Sequence, residues 1–392
     1  MRVKEVSGAS WLWIVLLLGL SLRLLGLMEP LIDKQAWRQT DTAAIARNYY
    51  EEGYTLFHPR VDWRGTSSGF VESNFPLYPF VVGLLYSVVG GAYEWVGRLV
   101  AALCSTAAGA LLYPLALRLG LSARSALFGS LFYLLFPLSV YYGRTFMPEA
   151  LMIFLSVAAL WAFARWIDSG TRWDFVLAAW LAALCFLVKI PTLYLGFPLV
   201  ALAWERWGGR FVLKPSLWLY LMAAVLPTVF WYWHASLLFE DTGLTFGIWN
   251  RYGYDKWDRS MLFGLDFYQT MVVRFWHSIY TPIGALLVLL GLSLPPTQRR
   301  EWVVWVWLGG LLCYVFLVPE GNRKLHYYQL PFVPVGALLA GRAVAALLEV
   351  GGSQRGWNRI ARNWTPLQRV VLVGILVVGS AVYGGWAIGP YY

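Results

Sequence analysis

Apolar runs of membrane-spanning length follow one another along this chain, joined by short loops that alternate between strongly basic and mixed charge. A bilayer core takes roughly 20 apolar helical residues per crossing. Only helices and closed barrels satisfy every backbone N–H and C=O there. The supply of charge removes the alternatives. Of 392 residues, 59% are apolar and 13% charged, whereas a soluble surface takes about 25–35% charged residues. Soluble domains, disordered chains and fibrous repeats are excluded together, leaving an all-α polytopic membrane protein built as one domain over residues 1–392. Cys104, Cys185 and Cys313 lie singly in apolar runs with no CxxC spacing, and read as buried thiols.

Placement of charge sets the topology. The first run, 11–28, follows Arg2 and Lys4 and lacks a small-x-small cleavage site, so it reads as an uncleaved span entering from the cytoplasm. A polar segment, 29–74, comes next; within it 41–52 has helical spacing, with Ala44, Ile45, Asn48 and Tyr49 on one face. The apolar stretch 75–91 is short and interrupted by Pro76, Pro79 and Gly83, as expected of an interfacial helix. With that stretch lying flat, the spans are about 11–28, 98–117, 126–142, 149–167, 175–190, 191–204, 216–235, 281–295, 302–318, 331–348 and 370–388. The cytoplasmic side then receives sixteen of the 31 Lys and Arg residues, including Arg355, Arg359 and Arg362, but six of the 21 acids, including Glu5. This satisfies the positive-inside rule in every loop, whereas a crossing at 75–91 would invert all later loops. The whole net charge of +10 is therefore topology signal and predicts no nucleic-acid partner. The opposite side holds two long loops, 29–97 and 236–280, and short turns at 144–149, 189–192 and 319–331.

Ionisable residues near membrane depth are functional candidates by default, and those on the second side gather at helix ends. Asp33 and Asp41 flank Trp37-Arg38-Gln39-Thr40; Glu72 opens Glu72-Ser73-Asn74-Phe75-Pro76-Leu77-Tyr78. Arg98 follows Gly97 at the head of a span, Arg144 and Glu149 frame a turn, Lys189 precedes Pro191, and His326 opens His326-Tyr327-Tyr328-Gln329-Leu330-Pro331. Carboxylates suit general-base work and cations suit a phosphate. Each residue also has a structural reading: Asp41 as a helix N-cap, Glu149 at a helix N-terminus, Lys189 snorkelling, Arg98 and Arg144 as interface anchors, and His326 as a packed histidine. No HExxH, DxD or close histidine pair is present, and no phosphate-binding glycine loop, which argues against a cytoplasmic nucleotide-sugar donor. The second long loop adds Glu240, Asp241, Trp249, Tyr252, Tyr254, Trp257 and Asp266, a mixture able to hold a sugar.

In their order and sidedness these motifs resemble the GT-C membrane glycosyltransferases near glycosyltransferase family 39, the group of protein O-mannosyltransferases and aminoarabinose transferases. The resemblance is clearest over about 29–200 and includes Ile45-Ala46-Arg47-Asn48, Gly97-Arg98-Leu99, and the Arg-x-x-x-Pro-Glu, Lys-x-Pro and His-Tyr-Tyr-x-Leu-Pro turns. It implies a GT-C-type bundle of about eleven transmembrane helices with interfacial helices in the first outer loop. It also implies transfer of a sugar from a polyprenyl-phosphate donor to an acceptor hydroxyl, with inversion, on the periplasmic side of a bacterial inner membrane. Asp41 is then the expected base, with Glu72 and Asp33 as contenders. Lys189, Arg98, Arg144 and His326 are expected on the donor phosphate, and Glu149, Asp33, Glu72, Tyr327 and Tyr328 on sugar or acceptor. The acceptor class stays open between glycan, lipid and protein. The motifs fix no cofactor, and a divalent metal stays open. One departure stands out: where family members carry Asp-Glu, this chain reads Arg38-Gln39. The rival reading is a transporter or flippase of a lipid-linked substrate, which suits a chain of many spans with intramembrane charge.

Overall fold

The computed structural model describes residues 8–247, 249, 258–349 and 364–392. Arg2, Lys4, Glu5, Tyr252, Tyr254, Trp257, Arg355, Arg359 and Arg362 lie outside the described residues. Within them the chain is helical, with two isolated β-bridges, Arg60 to Phe70 and Glu72 to Thr245. The helices are α1 (Gly8–Leu24), α2 (Ala36–Glu52), α3 (Leu77–Val89), α4 (Glu94–Arg118), α5 (Ala123–Leu135), α6 (Pro137–Tyr142), α7 (Glu149–Ser169) and α8 (Arg172–Val188). There follow α9 (Gly196–Trp207), α10 (Pro215–Thr242), α11 (Leu265–Arg274), α12 (Thr281–Ser293), α13 (Trp302–Leu317), α14 (Pro319–Lys324), α15 (Phe332–Leu348) and a last helix, Pro366–Ile388.

Every expected span coincides with helix, but the helices are more broken than hydropathy suggests. Among the described residues five helices are long and apolar enough to cross a membrane, and a sixth arises if α11 and α12, bent by 104°, count together. The breaks have local causes. Proline has no N–H to donate, and the expected 126–142 helix divides between α5 and α6 at Pro137. The expected 191–204 helix begins as a 3-10 turn, Ile190–Leu195, containing Pro191. At the bend before α12, Thr281 takes φ 67°, a costly conformation for a β-branched residue. Its hydroxyl accepts from the Gly284 N–H at 3.1 Å and pairs with Ser380 Oγ at 2.8 Å, which holds the bend. The interfacial helix expected over 75–91 is α3, packed on α2 and α4.

The core centres on α15, buried along Phe332 to Ala345, against α5 and α12. Small residues let these backbones touch: a Cβ on Gly291 would meet Leu339 O at 1.9 Å, and one on Gly341 would meet Ser125 O at 2.4 Å. Arg23 is fully buried in α1. It is held without a carboxylate, donating to Ser105 Oγ (2.8 Å), Gly19 O (2.9 Å), Leu134 O (3.0 Å) and Ser139 Oγ (2.8 Å). A buried charge is tolerable only when satisfied in this way. The outward rows of α10 and the last helix expose Val229, Phe230, Trp233, Ile375, Val378 and Val382, the surface expected of helices facing lipid.

Ion pairs fall into two groups at the two ends of the bundle. Arg118 and Arg300 share Asp168, Arg165 meets Asp174, Arg124 meets Glu349 and Arg342 meets Glu301. At the end carrying the two long loops, Arg98 and Arg144 share Asp33, Lys189 meets Glu149, and Arg323 meets Asp266. Among the described residues no ion pair joins a residue expected on one face to one expected on the other. The tight α12–α15 contact makes a direct prediction. Gly291→Ala should lower the thermal stability of the detergent-solubilised protein. Gly374→Ala, where a Cβ meets nothing within 4 Å, should leave it unchanged or raise it by up to about 1 kcal/mol through helix propensity.

Candidate active site

The loop-bearing end is organised by a buried acid between two arginines. Asp33 Oδ2 accepts from Arg98 Nη1 at 3.2 Å and from Arg144 Nη2 at 3.1 Å, while Gln39 Nε2 donates to Oδ1. Arg98 also donates to Pro30 O (3.0 Å), and Arg144 to Leu25 O (3.1 Å) and Gly26 O (2.9 Å). Arg98 is fully buried and Arg144 nearly so. Expected on the donor phosphate, both guanidiniums are instead engaged with Asp33 and with the carbonyls of the chain leaving α1. Neither lines the main cavity.

This knot aims α2. Gln35, just before the helix, takes φ 68°, so the chain turns sharply into Ala36. Gln39, fully buried, accepts from the Phe146 N–H at 3.0 Å and latches α2 to the turn between α6 and α7. Asp41 therefore lies inside α2, not at its N-cap, because the helix begins earlier than the apolar spacing indicated. Trp37, Arg38 and Asp41 share one face by the i, i+3 and i, i+4 rule. Asp41 is half-buried, and its Oδ1 accepts from Trp63 Nε1 at 3.0 Å. Burial pushes its carboxyl above the usual aspartate value; the Trp63 hydrogen bond and the Arg38 charge oppose this, and Asp62 adds to it.

Glu149 opens α7 and is almost fully buried; Lys189, at the end of α8, donates to its Oε1. The Lys189 ammonium also lies over the rings of Tyr327 (4.8 Å) and Tyr328 (5.3 Å). Glu72 is fully buried. Its carboxylate accepts from Thr245 Oγ1, and its backbone pairs with Leu244 O and with the Phe246 N–H, both at 3.0 Å. Next to it, Asn74 Oδ1 accepts from Tyr232 OH at 2.9 Å. This stitches the first long loop to the end of α10. His326 Nδ1 pairs with Tyr142 OH at 2.9 Å, and the ring stacks on Tyr391 at 5.5 Å. Burial, with the Lys34 and Arg274 charges adding to it, lowers its pKa to about 3, which favours the neutral imidazole.

A cavity of about 540 Å³ opens below α2. Its polar end is formed by Arg38, Asn74, Lys189, Lys324, Tyr327 and Tyr328, with Trp37 beside them. Its apolar wall runs along α9 and α13 through Phe197, Gly310, Cys313, Tyr314 and Leu317. A second groove of about 730 Å³ shares Leu193 and Phe197 with it and continues between α9 and α13 to Trp204, Trp302 and Arg299. Of the expected site residues, Lys189, Tyr327 and Tyr328 line the cavity. Asp41 is not among the lining residues, but it shares a helix face with Trp37 and Arg38, which are. Asp33, Glu72, Glu149, Arg98, Arg144 and His326 support the walls. Arg38 was not anticipated; its signal was its position one turn before Asp41, legible once the helix is started at Ala36. Among the described residues no group of three or more His, Cys, Asp and Glu side chains could hold a metal.

Comparison with known proteins places the fold. Residues 73–233 match the dolichyl-phosphate-mannose-protein mannosyltransferase family, and no curated protein matches the chain by sequence. Among solved structures, the chain is similar to ArnT from Cupriavidus metallidurans bound to undecaprenyl phosphate, with TM-score 0.63 and 17% identity, covering 97% of this chain and 75% of that one. The oligosaccharyltransferase of Archaeoglobus fulgidus matches with TM-score 0.59 and 15% identity, over 100% of this chain and 57% of that one. The mycobacterial arabinofuranosyltransferase AftD matches with TM-score 0.61 and 17% identity, over 98% of this chain and 27% of that one. All are GT-C glycosyltransferases, and the chain shares their fold.

The buried knot predicts a specific loss. Asp33→Asn leaves two buried guanidiniums without their counter-charge, and breaking a buried pair costs about 3–5 kcal/mol. A fall in thermal stability is expected for Asp33→Asn, whereas Asp266→Asn, at a pair largely open to solvent, should be near neutral.

Proposed function

We propose that this protein is a polyprenyl-phosphate-dependent membrane glycosyltransferase that moves a sugar to an acceptor hydroxyl. The observation that carries the reading is the cavity itself: an apolar groove along α9 and α13 ending in Arg38, Lys189 and Lys324, next to a half-buried carboxylate on α2. A lipid phosphate has that shape and charge. Cations at the polar end stabilise negative charge as it develops on the leaving phosphate, and aromatic and aliphatic walls receive the prenyl chain. Every solved structure named above is a transferase, and one carries undecaprenyl phosphate; the transporter reading gains nothing from them.

In the proposed step the acceptor O–H gives its proton to Asp41, and the acceptor oxygen attacks the anomeric carbon from the face opposite the phosphate. The bond between the anomeric carbon and the phosphate oxygen breaks, and its electron pair leaves with the lipid phosphate. The configuration inverts. Asp41 is preferred as base over Asp33 and Glu72 on accessibility. Asp33 is enclosed by two arginines and Glu72 is fully buried, whereas Asp41 is half-buried with a carboxyl held above its usual range, which strengthens it as a base. Glu149 holds the Lys189 ammonium towards the cavity, and Tyr327 and Tyr328 flank the phosphate and sugar.

The reading includes eleven crossings, a cytoplasmic N-terminus and a periplasmic site in a bacterial inner membrane. The separation of ion pairs into two groups supports that sidedness, since each expected face pairs only with itself among the described residues. The test is turnover of undecaprenyl-phosphate-linked hexoses and pentoses by the purified protein in lipid nanodiscs, read as release of undecaprenyl phosphate. Asp41→Asn should cut turnover by roughly 10²–10⁴-fold, the usual contribution of a general base, while retaining donor binding. Full activity in that variant removes Asp41 from the role. Arg38→Gln should raise the donor KM by roughly tenfold or more, as loss of a charge-assisted hydrogen bond does, with a smaller change in kcat.

A further inference from the structure

Asp41, one turn from the cavity-lining Arg38, belongs to a closed ring of contacts between α2 and two loops. Trp63, in the first long loop, directs its indole N–H to Asp41 Oδ1 at 3.0 Å. The same indole meets Phe246, in the segment after α10, edge-on at 5.8 Å and 83°. The Arg38 guanidinium lies over the other side of this assembly, 4.6 Å from the Phe246 ring centre. Arg38 and Asp41 are one turn apart on α2, so the four side chains close a circuit.

The geometry points to Trp63 as a positioning residue for the proposed base: it holds Asp41 by one oxygen and leaves the other for the acceptor proton. This inference rests on the glycosyltransferase reading and deepens it. Indole nitrogen is a donor only, so the bond has one direction and fixes which oxygen is occupied. Among the described residues no group hydrogen-bonds Asp41 Oδ2. A hydrogen bond donated to a carboxylate also favours its charged form. Trp63 thereby offsets part of the rise that burial imposes on Asp41. The remaining charges facing Asp41 are Arg38 on its own helix and Asp62 on the loop. Asp62 is itself paired with Arg47 at 2.5 Å and accepts from Asn48 Nδ2 at 3.1 Å. Trp63 is 46% exposed, so its removal empties no core, and an effect on the pH profile is separable from an effect on folding.

The experiment is the pH dependence of kcat/KM for wild type, Trp63→Phe and Asp62→Asn, using whichever undecaprenyl-phosphate sugar turns over. A base must be deprotonated to act, so activity falls as pH drops through the Asp41 pKa. Losing the indole N–H removes a stabiliser of the carboxylate. The acid limb for Trp63→Phe should move to higher pH by about half to one unit, a roughly three- to tenfold loss at a fixed pH on that limb. Asp62→Asn removes a negative neighbour and should move the limb the other way. A Trp63→Phe limb that stays in place, with activity lowered evenly at all pH values, overturns the inference and leaves Trp63 a packing residue. Should Trp63→Phe be inactive throughout, Trp63→His, which restores a ring N–H, is expected to recover turnover; no recovery overturns it equally. Activity in Asp41→Asn would mark failure of the base assignment itself, and is distinguished from both.

Discussion

The site depends on one buried carboxylate shared by two arginines. Asp33, Arg98 and Arg144 come from the chain after α1, the start of α4 and the turn after α6. Two guanidiniums buried side by side repel each other unless a counter-charge and further hydrogen bonds offset their burial, and here both are supplied within the same few ångströms. The consequence is positional. Tying Leu25, Gly26, Pro30 and Asp33 to α4 and the α6–α7 turn fixes where the chain re-enters helix at Ala36. The face of α2 bearing Trp37, Arg38 and Asp41 is thereby held over the cavity. Beyond the knot, α2 is held by Gln39, by its apolar contacts with α3 and by contacts of Asp41, Arg47, Asn48, Tyr49 and Glu52 with the loop that follows it.

In the proposed reading, the groups for chemistry and the surface for the lipid chain lie in different parts of the site. Carboxylates and cations gather at the ends of α2, α7, α8 and α14, where backbone groups leave the helical ladder and polar partners are within reach. The α9–α13 groove runs away from that end with an almost wholly apolar lining. A small residue on α13 makes the groove narrow: a Cβ on Gly310 would meet Phe197 Cβ at 2.8 Å. An amphiphile with a phosphate head suits this arrangement better than a water-soluble donor, whose polar length would have nothing to bond along α13.

Much of this was legible in the order of residues, and what was not has physical reasons. Helix positions and the gathering of 29–97, 144–149, 189–192 and 319–331 at one end follow from hydropathy and Lys/Arg placement, which act locally. The fates of Arg98 and Arg144 depend on a partner, Asp33, that lies 65 and 111 positions away. No periodicity encodes such a contact, so phosphate binding and structural pairing look alike in one dimension. The start of α2 was placed late because Gln35 is not a typical capping residue and its left-handed turn leaves no compositional mark. That shift hid Arg38, which stood only as a departure from the family's acidic pair. For His326 the choice between a phosphate donor and a packed histidine stays open in the sequence, which does not reveal its stacking on Tyr391.

The polar end of the α9–α13 cavity is the proposed seat of the donor phosphate. Determining the structure of the protein in nanodiscs with undecaprenyl phosphate bound tests it most directly. The account predicts phosphate density in hydrogen-bond range of Lys189 Nζ and the Arg38 guanidinium, with the prenyl chain along Phe197, Tyr314 and Leu317. A phosphate seated instead on Arg98 and Arg144, displacing Asp33, or a lipid lying outside this groove, would contradict it.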